Sequence, residues 1–552
     1  MILFGLPLLI AAAILLARYV TPLERVGAAA ARVLETPRVP VAIAVLSAVI
    51  FWIAWGSLAS IPVVHDEASY LFQAKLFAAG HWTAPSPPMP EFFEQYHVFV
   101  VPHYASKYPP GHAILLVPGI WLGLPGLMPV IVSGLAAALV FAIVRRLFNA
   151  GIAFWTWLIW ITAPFALWMM ASYYSQSTST LMWMAGWYAL VRWRERDDGR
   201  WLLLLAGCVA WLAFTRPLTA VAYALPVGVY VLWRTARTRR WGPLGKALAL
   251  GSVMLLVIPF WSVKTTGALR PTPYALYSRM YFPWDAPGFG LDSSPPSREL
   301  PPDMQWTAKY GAEPHRTYTP RVLPGVLASR MFFVARDQWG PPRFALAPLA
   351  VIGLLMLTPE LLFAIGSGLV LMIAYLWFGH GAEWTVYYAE IQPVLALVTA
   401  LGLWRLLRWN ARDGGPRAVS PRAAGASLIL AAATIVLGYY IIGETRYRTA
   451  MMRRYQGQFV STLAVLPADK AIVFVRYASW HNPHLSLIYN DPDLERSKRW
   501  IVYDRGPVEN AKLMRLAPGR KAYIYDEEHH MVGNYSPDGI TPIASTSINA
   551  VR

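Results

Sequence analysis

Apolar residues in this chain fall into long uncharged runs joined by short arginine-rich connections. The run VAIAVLSAVIFWIAWGSLASIPVV from Val41 and the run ASLILAAATIVLGYYIIG from Ala426 match the roughly 20 residues that a helix needs to cross a bilayer. Met1 to Leu16 reads as a further membrane helix, since it lacks the basic start of a cleaved signal peptide. Ala113 to Leu147 would be roughly 50 Å long as one straight helix. That is too long for one crossing, and Gly123-Leu-Pro-Gly126 breaks it into two short helices or a re-entrant piece plus a span. The pattern predicts a mainly α, polytopic helix bundle of about 12 or 13 spans.

Charge then orients the bundle. Arginine clusters at Arg18–Arg38, Arg145–Arg146, Arg192–Arg200, Arg234–Arg240 and Arg405–Arg422, the last including Arg412 and Arg417, mark cytoplasmic connections. The long segments between them then fall outside: residues 61–112, residues 264–343, and the tail from Glu444. Residues 1–40 form an extra N-terminal helix and cytoplasmic loop, 41–443 the membrane domain, and 444–552 an external domain. In that tail, Ala471–Val475, Trp500–Tyr503 and Ala522–Tyr525 read as strands and Val508–Leu516 as a helix, a small α/β module.

The outer segments differ in character. DEASYLFQAKLFAAG from Asp66 places Ala68, Leu71, Phe72, Ala74, Leu76 and Ala79 on one helical face, which predicts an amphipathic helix on the membrane surface. Residues 264–343 are rich in proline, tyrosine and tryptophan, which predicts an irregular, functional loop.

Composition agrees with this picture. The chain is 56% hydrophobic and 14% charged, with 25 Trp and 28 Tyr, as expected of a protein with many membrane–water boundaries. The net charge of +18 comes from scattered clusters rather than one basic face, which excludes a nucleic-acid binder. One cysteine, Cys208, excludes intrachain disulfides.

Ionisable residues gather at the outer ends of spans and in the outer loops, whereas an ion-coupled transporter would place them near the midplane. His65-Asp66-Glu67 follows the Val41 span. There two carboxylates can position a general base or a metal ion, or Asp66 can cap the helix with Glu67 in its first turn. Lys107-Tyr108-Pro-Pro-Gly-His112 marks the re-entry of the first loop; its lysine either grips phosphate or snorkels. Arg216, at another outer boundary, suits bidentate phosphate binding or anchors the helix. Lys264 and Arg270 face the same choice between an anionic donor and headgroups. His380, Tyr387 and Tyr388 open a later span, with Glu383 and Glu390 beside them. The tyrosines read as aromatic-belt residues and the charged groups as a solvated loop. His481, His484, His529 and His530 lack a metal-ligand spacing. The chain holds no phosphate-binding glycine loop and no nucleophile elbow.

The motifs DEASYLFQAKLFAAG, KYPPGHAILLVPGIWLGLP from Lys107, RRLF from Arg145 and YYAEIQPVLALVTALG from Tyr387 resemble the C-type glycosyltransferase superfamily. They lie nearest to its protein O-mannosyltransferase and aminoarabinose-transferase branch, and the resemblance spans roughly residues 41 to 410. It implies a polyprenyl-phosphate sugar donor and a lipid, glycan or protein acceptor whose hydroxyl is activated on the outer face. It also implies Asp66 as catalytic base with Glu67 beside it, and Lys107, Arg216, Lys264 and Arg270 as donor-phosphate ligands. His65, Tyr108, His112, His380, Tyr387 and Tyr388 are the further substrate contacts. A divalent cation, Mg2+ or Mn2+, is compatible but not required. Thr385-Val386-Tyr387-Tyr388 departs from the pattern, because many relatives carry an arginine before the paired aromatics. The competing readings are a glycan ligase or polymerase using a pyrophosphate-linked carrier, and a non-catalytic lipid or polysaccharide transporter.

Overall fold

A computed structural model describes residues 2–341, 343–408, 421–467, 469–536 and 539–545. Arg412 and Arg417 lie outside the described residues. The chain divides into two compact units, one of Met1–Leu58, Leu127–Leu256 and Pro320–Tyr447, the other of Ala59–Gly126, Val257–Thr319 and Arg448–Arg552. Sequence-distant segments are therefore brought together in each.

The chain is mainly α and reads as a multi-pass membrane protein. Among the described residues six helices are long and apolar enough to cross a bilayer: Leu127–Leu147, Pro217–Thr238, Trp241–Thr266, Pro359–Trp377, Thr385–Leu407 and Pro421–Ala464. Gly5–Tyr19 and Thr21–Leu34, bent by 102°, make a seventh if taken as one broken span. That is fewer than the 12 or 13 spans expected from the sequence, because other apolar runs form shorter helices such as Val39–Trp55 and Ala150–Ile161. Local signals cut these short: Gly56 ends the first in the left-handed region at φ 89°, and Pro164 follows the second.

The first unit is a helix bundle. Its tightest crossing joins Ala347–Leu354 to Gln392–Leu407. A Cβ on Gly353 would lie 1.8 Å from the Val398 carbonyl oxygen, and one on Gly402 the same distance from that of Leu349. Only glycine fits either position, the usual device for close helix contact in membranes.

The second unit joins Ala59–Gly126 and Val257–Thr319 to the tail from Arg448. The strand Ala471–Arg476 is central, pairing in parallel with Arg499–Tyr503 and Lys521–Asp526. Met531–Ser536 and Gly539–Ser545 extend the sheet antiparallel. Residues 471–475 are all buried because both sheet faces are covered. Ile472 and Phe474 pack with Phe72, Leu76, Phe92 and Tyr104, while Val473 and Val475 pack with Phe459, Leu463 and Leu487.

Three expectations need correction. The helix His65–Ala78 is no surface helix with one apolar face, for Ala68, Tyr70, Phe72, Gln73, Ala74 and Leu76 are all buried. The second outer segment is not structureless. Pro273–Tyr281 and Pro302–Ala312 are helical, fixed by a core of Tyr96, Phe99, Tyr277, Tyr281, Phe282 and Met304. The arginine-bearing connection after the first helix is itself the helix Thr21–Leu34, with Pro22 in its first turn. In the tail, the helix Pro421–Ala464 runs unbroken past Glu444.

Candidate active site

The His65 helix opens with a capping arrangement that gives its two carboxylates different partners. Glu67 Oε2 accepts the N–H of Val63 at 2.6 Å and that of Val64 at 3.4 Å, and the residue is 1% exposed. Glu67 is therefore spent on the helix start, which corrects its assignment as a second catalytic carboxylate. Asp66, which the capping reading would have tied to the backbone, is left for other partners.

Those partners come from the first outer segment. Tyr108 donates its hydroxyl to Asp66 Oδ1, and the Nε2 atoms of His65 and His97 lie 3.4 and 3.7 Å from Oδ2. The Asp66 side chain keeps 29% of its surface exposed, so one side of it stays accessible. His97 sits in the left-handed region at φ 63°, uncommon for a non-glycine residue. Its carbonyl accepts from Ser69 Oγ at 2.9 Å and from the Lys107 N–H at 2.9 Å, and its N–H donates to Tyr277 Oη at 2.7 Å. The fold pays for this backbone conformation with three bonds, and the ring is aimed at Asp66 as a result.

Electrostatics follow from this enclosure. Burial would lift the Asp66 carboxyl, but His97, His65 and the Tyr108 hydroxyl outweigh it and hold the group well below the usual carboxylate range. Burial is also the main force on the rings, pushing His65 down to about 3 and His97 to about 4. At neutral pH the site is thus one carboxylate anion between two neutral imidazoles. Linkage gives a test. A histidine whose folded pKa lies below its unfolded value of about 6.5 binds its proton more readily when unfolded, so stability falls as pH drops from 6.5 towards 4. His97→Gln is expected to recover on the order of 3 kcal/mol of that acid loss. Thermal unfolding of both proteins across the window measures it, and identical acid losses would contradict the assignment.

Lys107 does not reach open solvent. Its ammonium lies 3.7 Å from Asp285 and 4.4 and 4.7 Å from the rings of Tyr274 and Tyr277, an aromatic cage. Burial pulls it below the ordinary lysine range against the attraction of Asp285 and Asp66. His112 is 1% exposed and meets Tyr70 edge-on at 4.9 Å. Lys264 and Arg270 are exposed.

The sequence reading missed several neighbours. Tyr96 stacks on His65 at 4.6 Å, and Asp285 pairs with Lys107 from a distant loop. The tail places His484 6.1 Å from His65, with Trp306 6.0 Å beyond. These come from four separate stretches, and no local pattern links them.

The first unit carries a second polar cluster. Arg216 precedes the helix Pro217–Thr238 in a non-helical conformation, as the following proline favours. It donates to the Tyr375 hydroxyl at 3.1 Å and lies 5.6 Å from the Tyr387 ring. His380 donates from Nδ1 to the Gly381 carbonyl at 2.7 Å, which leaves Nε2 to accept from the Tyr388 hydroxyl at 3.0 Å. Burial, helped by Arg330 and Arg216, holds that imidazole neutral, down at about 3. Arg330 is fully buried and binds the carbonyls of Tyr375, Phe378 and His380. Tyr388 is fully buried, as is Glu390, which accepts from Ser179. The belt reading of Tyr388 and the solvated reading of Glu390 are therefore corrected. Arg216 thus places a guanidinium beside the paired tyrosines, 5.6 Å from the Tyr387 ring.

Comparisons place this architecture. The sequence profile of the family described as dolichyl-phosphate-mannose-protein mannosyltransferase matches residues 126–262. No curated protein sequence matches the chain. The structure is similar to ArnT from Cupriavidus metallidurans bound to undecaprenyl phosphate, with a TM-score of 0.51 and 15% identity over 89% of this chain and 94% of that one. It also matches the oligosaccharyltransferase AglB from Archaeoglobus fulgidus, in complex with an inhibitory peptide and a dolichol-phosphate. There the TM-score is 0.44 and identity 12%, over 88% of this chain and 69% of that one. The fold assignment rests on the first of these. In fold the chain is similar to ArnT, and residues 126–262 carry the mannosyltransferase profile.

Proposed function

We infer that the protein transfers a sugar from a polyprenyl-phosphate carrier to an acceptor hydroxyl at the outer face of the inner membrane. The observation that carries this reading is Asp66: a carboxylate freed from capping, held anionic, and still open on one side. The mannosyltransferase profile and the undecaprenyl phosphate bound to ArnT support the carrier class.

The reaction is a single displacement. The acceptor oxygen attacks the anomeric carbon, the bond from that carbon to the phosphate oxygen breaks, and polyprenyl phosphate departs with the electron pair. Asp66 accepts a hydrogen bond from the acceptor hydroxyl and takes its proton as the new bond forms. A carboxylate of such low basicity is a weak base towards a resting alcohol. It becomes adequate once bond formation acidifies that hydroxyl. Neutral His97, beside Asp66, can pass the proton onward. Arg216, stacked near Tyr387 and bonded to Tyr375, is the donor-phosphate ligand, as planar guanidinium suits a phosphate.

A divalent cation fits one place among the described residues. One ligand atom each from His65, Asp66 and His97 lie within 4.8 Å of one another. Two imidazoles with a carboxylate suit Mn2+ better than Mg2+, and a cation held there would acidify a nearby acceptor hydroxyl.

Orientation is tested by cysteine labelling in a Cys208→Ser background. Lys309 in the outer unit and Arg239 in an arginine-rich connection are both exposed. A membrane-impermeant maleimide added to intact spheroplasts is expected to label Lys309→Cys and spare Arg239→Cys. The reverse pattern would put Asp66 in the cytosol and end this reading.

A further inference from the structure

The helix Pro302–Ala312 sorts its residues onto two faces. Asp303 and Met304 are buried on the inner one, where the Tyr503 hydroxyl donates to the Asp303 carboxylate at 2.9 Å and the Tyr96 hydroxyl to the Asp303 carbonyl at 2.9 Å. Trp306 and Tyr310, four residues apart, share the opposite face and stay 44% and 52% exposed. Their rings lie 4.6 Å apart. Single exposed apolar residues are ordinary. Two large rings held side by side in water, on a helix whose inner face is already filled, mark a binding surface instead.

This pair begins a line of rings that leads to the carboxylate. Trp306 meets His484 edge-on at 6.0 Å, and His484, itself exposed, stacks with His65 at 6.1 Å. His65 Nε2 in turn lies 3.4 Å from Asp66 Oδ2. The His484 imidazole also lies within the electrostatic field of Asp66. Tyr96 braces both ends of the line, since its ring stacks on His65 at 4.6 Å while its hydroxyl holds the helix that carries Trp306.

We propose that Tyr310, Trp306 and His484 form an open stacking track for the sugar rings of a glycan acceptor, which delivers its reactive end past His65 to Asp66. The chemistry favours a saccharide. A pyranose has an apolar C–H face that covers an aromatic ring and a rim of hydroxyls that stays wet or meets the polar edges of Trp, Tyr and His. An acyl chain would gain more from an enclosed groove, whereas these rings lie open. The inference rests on the transferase reading and narrows its acceptor to a glycan.

The test uses the full chain in lipid nanodiscs, with chitotetraose, mannotetraose and a serine-rich peptide as probes read by saturation-transfer NMR. Wild type is expected to transfer saturation to at least one tetrasaccharide. Trp306→Ala is expected to weaken that binding about tenfold, and Trp306→Phe, which keeps a ring, to restore most of it. Tyr310→Ala and His484→Ala, both at exposed positions, give independent readings of the same track. Binding is read without donor, so it stands whether or not Asp66 proves to be the base; the transferase reading fails separately, in transfer assays. A bimane fluorophore at Tyr310→Cys, in the Cys208→Ser chain, is expected to escape quenching by lipid that carries a nitroxide on its acyl chain. Saturation of neither tetrasaccharide, saturation of the peptide alone, binding unchanged in Trp306→Ala, or strong quenching of the bimane, which would seat the rings in the bilayer, would overturn the proposal.

Discussion

Asp66→Asn is expected to lower the rate of sugar transfer by about 10³-fold, within the usual range for a positioned general base. The amide keeps the size of the carboxylate and can still accept the Tyr108 hydroxyl, so the helix start capped by Glu67 stays intact. What is lost is the anion that receives the acceptor's proton. The fall is expected in kcat, with little change in donor KM, because Asp66 acts on the acceptor. The same electrostatics shape the pH profile. A base whose pKa is held below the ordinary carboxylate range stays ionised through pH 5 to 8, and the rate falls only as pH drops through that lowered value. Wild-type initial rates should therefore show no acid limb near the histidine range, and a limb near 6.5 would assign the base to an imidazole instead.

Arg216→Ala should reduce kcat/KM for the donor by about 10²-fold or more, as expected when a preorganised charge on a departing phosphate is removed. Arg216→Lys should recover little. A lysine supplies a point charge but not the planar fork that lies within 6 Å of the Tyr375 and Tyr387 rings, at 5.9 and 5.6 Å. Lys264→Ala and Arg270→Ala alter exposed residues and should stay within about twofold of wild type, an effect of surface size. Steady-state kinetics with varied donor separates these outcomes. A large loss at Lys264 or Arg270 with none at Arg216 would move the phosphate site to the second outer segment.

The membrane class and the carboxylate at the span exit were legible in the sequence, because both are local. Hydropathy needs only a window of residues, and the Asp66-Glu67 pair stands where a span ends. The tail strands were legible too, since Ile472 and Phe474 alternate with Val473 and Val475 on two buried faces. The division of labour between Asp66 and Glu67 was not legible. It depends on the backbone at Val63 and Val64, whose N–H groups choose Glu67. The second outer segment read as irregular because its prolines are local signals, whereas the burial of Tyr277 and Tyr281 against Tyr96 and Phe99 is not. Arg216 beside Tyr387 and His484 beside His65 are contacts across long stretches of chain, and no spacing predicts them.

The account turns on the carrier, and the most direct measurement supplies the purified protein in proteoliposomes with two labelled donors, a polyprenyl-phosphate sugar and a nucleotide sugar, together with envelope glycan. The prediction is that label leaves only the polyprenyl carrier, with one polyprenyl phosphate released for each sugar transferred, and that Asp66→Asn suppresses both. Transfer from the nucleotide sugar, or movement of the intact lipid-linked sugar without release of polyprenyl phosphate, would contradict it.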